Sequence, residues 1–201
     1  MKNTFAGDVT ITKSNIDEWL NNNRTIKHIT GSLSIHADAK LEGVKSVGKD
    51  LYIRNNVIAI LNNLMRVGRD FVVDGDAHSQ TRNLMDIGRD LIVDGPTNLR
   101  NLKIVRRDIY QRWGLLAGQL KFVGGNLVNY PGYKLVTNKC FLVAGDIYIA
   151  GGIWTLEDAF GERKILPAAD EPTLKEADDP IFFTSLKNVD SHLPSFFSPW
   201  E

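Results

Sequence analysis

Apolar and polar positions alternate along this chain in a phrase that recurs eight times. Phe5-Ala-Gly-Asp-Val-Thr-Ile11 returns as Ile29-Thr-Gly-Ser-Leu-Ser-Ile35, Val47-Gly-Lys-Asp-Leu-Tyr-Ile53, Val67-Gly-Arg-Asp-Phe-Val-Val73 and Ile87-Gly-Arg-Asp-Leu-Ile-Val93. Looser copies follow at Val105-Arg-Arg-Asp-Ile-Tyr-Gln111, Val123-Gly-Gly-Asn-Leu-Val-Asn129 and Val143-Ala-Gly-Asp-Ile-Tyr-Ile149. With the Asp, Ser or Asn of each copy as origin (8, 32, 50, 70, 90, 108, 126, 146), the steps are 24, 18, 20, 20, 18, 18 and 20 residues. A repeat of this period predicts a solenoid, in which each coil stacks one strand on the same strand of the next.

Strict alternation within a copy turns Leu51 and Ile53, Phe71 and Val73, and Leu91 and Val93 inward and their neighbours outward. A second apolar run, Leu41-x-x-Val44-x-x-Val47, Leu61-x-x-Leu64-x-x-Val67 and Leu99-x-x-Leu102-x-x-Val105, precedes the strand. Its three-residue spacing predicts a wall of 3₁₀-like or irregular backbone, and glycines 48, 68 and 88 are expected to let the chain bend into the strand. The longer first step holds Ser14-Asn-Ile-Asp-Glu-Trp-Leu20, which reads as a short helix over 14–22. Ser14 is its expected cap, Asp17 and Glu18 lie in its first turn, and Ile16, Trp19 and Leu20 share one side, covering the end of the solenoid.

The pattern Leu-x-x-Leu-x-x-Val-Gly-x-Asp-Leu-x-Ile resembles the receptor L-domain and related leucine-rich repeat families over residues 5–150 or so. The resemblance implies a binding surface for a ligand or protein. The chain departs from that family in having no disulfide partners and no secretion signal, so a receptor role is not carried over. The expected fold is mainly all-β: a parallel β-solenoid, or leucine-rich-repeat-like right-handed β-helix, of about eight coils spanning 1–154. Residues 155–201 then form a cap or a binding arm. Five of the seven prolines (167, 172, 180, 194, 199) fall in that segment with Phe182-Phe183, Phe196-Phe197 and Trp200, whose rings need burial.

Charge divides the same way. The formal net charge of zero conceals 20 Lys+Arg against 14 Asp+Glu in 1–154 and 4 against 10 in 155–201, a basic body and an acidic tail. The lone Cys140 excludes an intrachain disulfide and favours a reducing compartment. With no apolar h-region after Met1 and no run long enough to span a membrane, the expectation is a cytoplasmic protein with no membrane partner.

Parity assigns three columns to the solvent side of the sheet. The middle one reads Thr10, Ser34, Tyr52, Val72, Ile92, Tyr110, Val128 and Tyr148, and its run from Tyr52 to Tyr148 would form an apolar strip about 24 Å long at the usual strand spacing. Such a strip calls for cover, by the tail or by a partner. Beside it runs Asp8, Ser32, Asp50, Asp70, Asp90, Asp108, Asn126 and Asp146, read as acceptors for neighbouring backbone amides because Ser and Asn replace Asp freely. The position before it is Lys49, Arg69, Arg89 and Arg107 in the central coils and glycine (7, 31, 125, 145) at both ends. Those cations either neutralise the Asp column or dock an acidic partner. The third column holds Arg54, Asp74, Asp94 and Arg112. Asp74 and Asp94 could stand about 5 Å apart, the separation of a retaining glycosidase, yet each begins an Asp-Gly pair that suits a turn.

Other chemistry is missing. His28, His36, His78 and His192 lack metal-ligand spacing, and no nucleophile elbow, phosphate loop or dinucleotide fingerprint occurs, so neither metal nor cofactor is expected. The apolar residues do not recur every six positions, against a hexapeptide acyltransferase. Gln111 and Asn129 stand where inward apolar residues are due, near Trp113, Tyr130 and Tyr133, which marks a bulge, an internal amide pair or a functional spot. The expected function is therefore non-enzymatic. The solenoid would bind a protein through Tyr52, Val72, Ile92 and Tyr110 with Lys49, Arg69, Arg89, Arg107, Arg54 and Arg112, as a bacterial or phage-encoded inhibitor or adaptor does. Nucleic-acid binding by the basic body is the alternative, and a carbohydrate-active β-helix using Asp74 and Asp94 the second.

Overall fold

The computed structural model describes residues 3–129, 135–136, 142–145 and 147–149, with the strands Trp154–Glu157, Arg163–Leu166 and Phe182–Phe183. It is a parallel β-solenoid whose coil has three walls. The first wall consists of two-residue strands such as Ser46–Val47, the second of three-residue strands such as Leu51–Ile53, and the third of strands such as Ile58–Ile60. Each pairs in parallel and in register with its equivalent in the next coil, as Leu51, Phe71 and Leu91 do in the second wall and Val47 and Val67 in the first.

Among the described residues the first and second walls each contain eight parallel strands and the third contains six. Eight levels are thus present, and six of them carry all three walls. In the first level, helix α1 (Ile16–Asn22) takes the stretch of chain where a third-wall strand would fall. At the other end Phe182–Phe183 lies antiparallel to Ile147–Ile149, with Phe182 opposite Tyr148. The expected cap or arm at 155–201 otherwise falls outside the described residues, as do Cys140, Tyr130 and Tyr133, apart from the hairpin in which Trp154–Glu157 pairs with Arg163–Leu166.

Alternation fills the interior. In the third coil Val47, Leu51, Ile53, Val57, Ala59, Leu61 and Leu64 are all buried, and the equivalent residues above and below join them in one continuous core. Fully burying a Val, Leu or Ile gains roughly 1.5–3 kcal/mol before chain entropy is subtracted. No coil can roof its own apolar interior, so that gain is available only to a stack.

Three sequence expectations are revised by the geometry. The run Leu61-x-x-Leu64-x-x-Val67 brackets a corner rather than forming an irregular wall: Leu61 follows the third-wall strand, the Leu64 amide donates to the Leu61 carbonyl at 3.0 Å, and Val67 is the inward residue of the first wall. The third wall escaped notice because most of its inward residues are small or polar, as with Ala39, Ala59, Ser79 and Thr97, Leu115 being the apolar exception. Glycines 48, 68 and 88 do not adopt positive φ. A Cβ at Gly68 would overlap the carbonyl of Gly48, and one at Gly88 that of Gly68, so the glycines permit close stacking of successive corners. The helix is preceded by Asn15, whose side chain accepts from the Thr12 amide (2.8 Å) and donates to the Thr10 carbonyl (2.8 Å), while Ser14 bonds the Thr12 hydroxyl instead of capping. Ile16, Trp19 and Leu20 do pack on the core, as the spacing predicts.

The 18- and 20-residue steps differ at one place. Six positions separate Ile53 from Ala59, but four separate Val93 from Thr97, so the extra pair lies between the second and third walls. The tight turns there use Asn56 (φ 59°) and Gly75 (φ 50°) in the left-handed region.

Gly68→Ala or Gly88→Ala should cost roughly 1–3 kcal/mol or more, because the added methyl meets backbone that cannot yield. A urea melt would show this, with exposed Thr10→Ala as a control expected to stay within about 0.5 kcal/mol of the parent. A Gly68→Ala protein as stable as the parent would contradict the close-stacking account.

Candidate protein-binding face

The second wall is framed by the corner at which the chain leaves the first. There each coil's backbone amide at the Asp position faces a side chain of the coil below. Asp8 Oδ1 accepts from Ser32 N (2.7 Å), Ser32 Oγ from Asp50 N (3.4 Å), Asp50 Oδ1 from Asp70 N (3.2 Å) and Asp70 Oδ1 from Asp90 N (3.2 Å). Asp90 and Asp108 extend the series to Asp108 N (3.1 Å) and Asn126 N (2.6 Å). These groups bear out the reading of the column as amide acceptors and explain why Ser and Asn substitute. The centre of the column does not face open solvent, since Asp50, Asp90 and Asp108 are each 7% exposed, whereas Asp8 at its end does.

Burial of those carboxylates determines what the cations do. Arg69 Nε lies 3.3 Å from Asp50, Arg89 Nε 3.4 Å from Asp70, and Arg107 Nε 3.2 Å from Asp90 and 3.3 Å from Asp108. Each arginine reaches down to the carboxylate one coil below, which is charge neutralisation. Lys49 stands above Ser32 and has no ion pair among the described residues.

The middle column is continuous, since Ser34, Tyr52, Val72, Ile92, Tyr110 and Val128 occupy the same register across successive strands. Tyr52, Val72, Ile92 and Tyr110 are half-buried, whereas Val128 is only 4% exposed. The open apolar strip therefore spans four coils, about 14 Å, and is shorter than the expected run to Tyr148, whose side chain lies outside the description. Arg54 sits over the Tyr52 ring, 5.2 Å from its centroid, and the Tyr110 hydroxyl donates to Asp108 at 3.3 Å. Burial raises both phenols above their ordinary pKa, helped at Tyr52 by Asp50 and Asp70 and at Tyr110 by Asp108, so both stay neutral.

In the third column Arg54 Nη1 pairs with Asp74 Oδ2 at 2.9 Å. Burial raises the Asp94 carboxyl above its ordinary range, with Arg112 pulling the other way and Asp74 adding to the rise. Asp94 Oδ1 is buried and meets no donor. Asp74-Gly75 forms the expected turn. At Asp94-Gly95 the chain also bends out of its strand, without positive φ, and Gly95 is buried where a Cβ would overlap the carbonyls of Ala77 and Gly75. From Lys49 to Arg112 the framed face carries six cations, the six proposed for binding, and six carboxylates, Asp50, Asp70, Asp74, Asp90, Asp94 and Asp108. It is electrically balanced.

No bulge occurs at Gln111, which stays in register between Val93 and Asn129. Its side chain is fully buried, and neither end of the amide has a hydrogen-bond partner among the described residues, to which the Asn129 side chain does not belong. Among the described residues no three His, Cys, Asp or Glu side chains gather as a metal site, and no helix is long and apolar enough to cross a membrane. Sequence reasoning missed a further feature, a row of lysines and arginines at the corner between the third and first walls. Its signal is the recurrence of Lys27, Lys45, Lys103 and Lys121 two residues before the inward residue of the first wall. No family model, curated protein or solved structure matches this chain.

Asp70→Ala should cost about 1–3 kcal/mol in a denaturant melt because the Asp90 amide loses its acceptor, and Asp70→Asn should cost less by keeping one. Asp94→Asn should act in the opposite direction. A carboxyl whose folded pKa is raised favours folding below its unfolded pKa and loses that contribution as pH rises through the folded value. Asp94→Asn is therefore expected to melt higher than the parent at pH 7, with the gap closing as pH falls through the raised value and gone once pH is below the ordinary Asp range. A gap that is constant from pH 7 to pH 3 would contradict the burial of this charge.

Proposed function

We propose that this protein is a non-enzymatic binding solenoid that occupies a surface of a partner protein, as an inhibitor or adaptor, through the second wall. The observation that carries the reading is the open column Tyr52, Val72, Ile92, Tyr110 within a frame whose cations and carboxylates balance. Protein interfaces favour Tyr and Arg at a partly apolar centre and disfavour a surplus of one charge there. A polyanion would find little net attraction on this wall. Stacked coils also supply a rigid backbone, which lowers the ordering cost of association. The resemblance of the repeat pattern to L-domains supports the same reading.

Arg69 and Arg89 hold the ladder together, so charge reversal there would perturb stability as well as binding. The sharper test is Tyr52→Ser with Tyr110→Ser. Captured from a lysate of the native host and identified by mass spectrometry, the partner should be retained by the parent and by Tyr52→Phe, and fall at least about tenfold for the double Ser variant, consistent with hot-spot tyrosines. The circular-dichroism melt of the variant should stay within a few degrees of the parent. Equal capture by both proteins would overturn the proposal.

A further inference from the structure

We infer that the corner between the third and first walls is a second binding surface, a ridge that grips the phosphate backbone of duplex nucleic acid without reading its sequence. The argument begins with the backbone. Lys45 N donates to the Lys27 carbonyl (2.7 Å), Met65 N to Lys45 (2.8 Å), Met85 N to Met65 (3.0 Å), Lys103 N to Met85 (2.9 Å) and Lys121 N to Lys103 (2.9 Å). These six residues are therefore one continuous column, each a single strand spacing above the last. Five steps of about 4.8 Å make it about 24 Å long.

Four of the six are lysines, and all four are exposed. Arg82 and Arg100, also exposed, occupy equivalent places in adjacent coils three residues before Met85 and Lys103. None of these six cations has an ion pair among the described residues. Across the segments 23–30, 41–48, 61–68, 81–88, 99–106 and 117–124, which form this corner and the first wall, there are nine Lys and Arg against two carboxylates. One carboxylate, Asp86, is shared by Arg66 (3.6 Å) and Arg106 (3.1 Å), and the other, Glu42, pairs with Lys40 (3.1 Å). The surplus charge of the solenoid body therefore resides here, and the second wall has none to offer.

Between the two cation rows runs an amide row, Asn63, Asn83 and Asn101, all exposed. Asn63 Nδ2 donates to the Glu42 carbonyl at 2.7 Å, and Asn101 Nδ2 approaches Asn83 Oδ1 at 3.5 Å. Lys, Arg and Asn are the side chains that contact phosphate and position a protein on a duplex. A duplex carries about one charge per 1.7 Å of axis, so a line of cations meets phosphates in any register. A single strand is the poorer fit, because such sites rely on a series of stacking platforms and these segments contain no Tyr or Trp and one half-buried Phe, Phe122.

The test is fluorescence anisotropy of two unrelated 20-base-pair DNA duplexes with the full-length protein, titrated at several salt concentrations. The expected result is equal affinity for both duplexes and a log–log salt slope of about −4 to −5, as four to six neutralised phosphates require. The triple variant Arg100→Gln, Lys103→Gln, Lys121→Gln should bind at least about tenfold more weakly with a slope shallower by about 2–3 units. The Tyr52→Ser, Tyr110→Ser variant should bind the duplexes like the parent, so failure of this inference and of the protein-binding proposal remain distinguishable. The inference is overturned by any of three results: no binding at low salt, equal binding by the triple variant, or single-stranded DNA binding more tightly than duplex. Vesicles of phosphatidylserine and phosphatidylcholine that bind the protein and are not displaced by duplex would likewise overturn it, in favour of a membrane surface.

Discussion

A chain that turns a corner between two parallel strands leaves an amide pointing along the stack with no strand partner, and a buried amide without an acceptor costs about as much as a lost hydrogen bond. Here the deficit recurs at every coil, and the same device meets it each time: a short side chain at the Asp position reaches up to the amide of the coil above. Much else in this region follows from that contact. The carboxylates are drawn into a nearly closed corner, arginines one coil higher are recruited to balance them, and glycines 48, 68, 88 and 124 let successive corners touch where Thr30 and Arg106 hold the same place in other coils. Burial is nonetheless not fully compensated at Asp90, whose carboxyl is held above its ordinary range by desolvation despite the Asp108 amide and Arg107.

The strand register was legible because alternation has a period of two and the phrase repeats often enough to fix its phase. Leu51, Phe71 and Leu91 face inward, and the helix packs Ile16, Trp19 and Leu20, each half-buried, against the core as read. The third wall was not legible, since Ala59, Ser79 and Thr97 satisfy its geometry without an apolar signal. The candidate face was readable as a set of columns, but its electrostatics were not. Whether Arg69 docks a partner or serves Asp50 depends on a reach from one coil to the next, which linear spacing does not encode.

Two faces of one solenoid thus present different physics. The second wall offers aromatic area in a balanced frame, where shape and desolvation would select the proposed partner. The corner on the far side of the first wall offers unpaired cations, whose influence extends through water and fades with salt. Both are products of the same repetition, since any residue placed once in a coil becomes a column when the coil recurs.

The joint between the second and third walls gives the solenoid a rule of growth. Coil lengths differ there by two residues, and the first step, which contains the helix, also departs from the others by an even number. Adding a pair lengthens the loop and returns the chain to the next strand with its inward side still inward, whereas adding one residue would present the polar side to the core and expel the apolar one. The insertions in this architecture thus come in even numbers, and the joint is where a loop of new chemistry could be spliced without disturbing the stack.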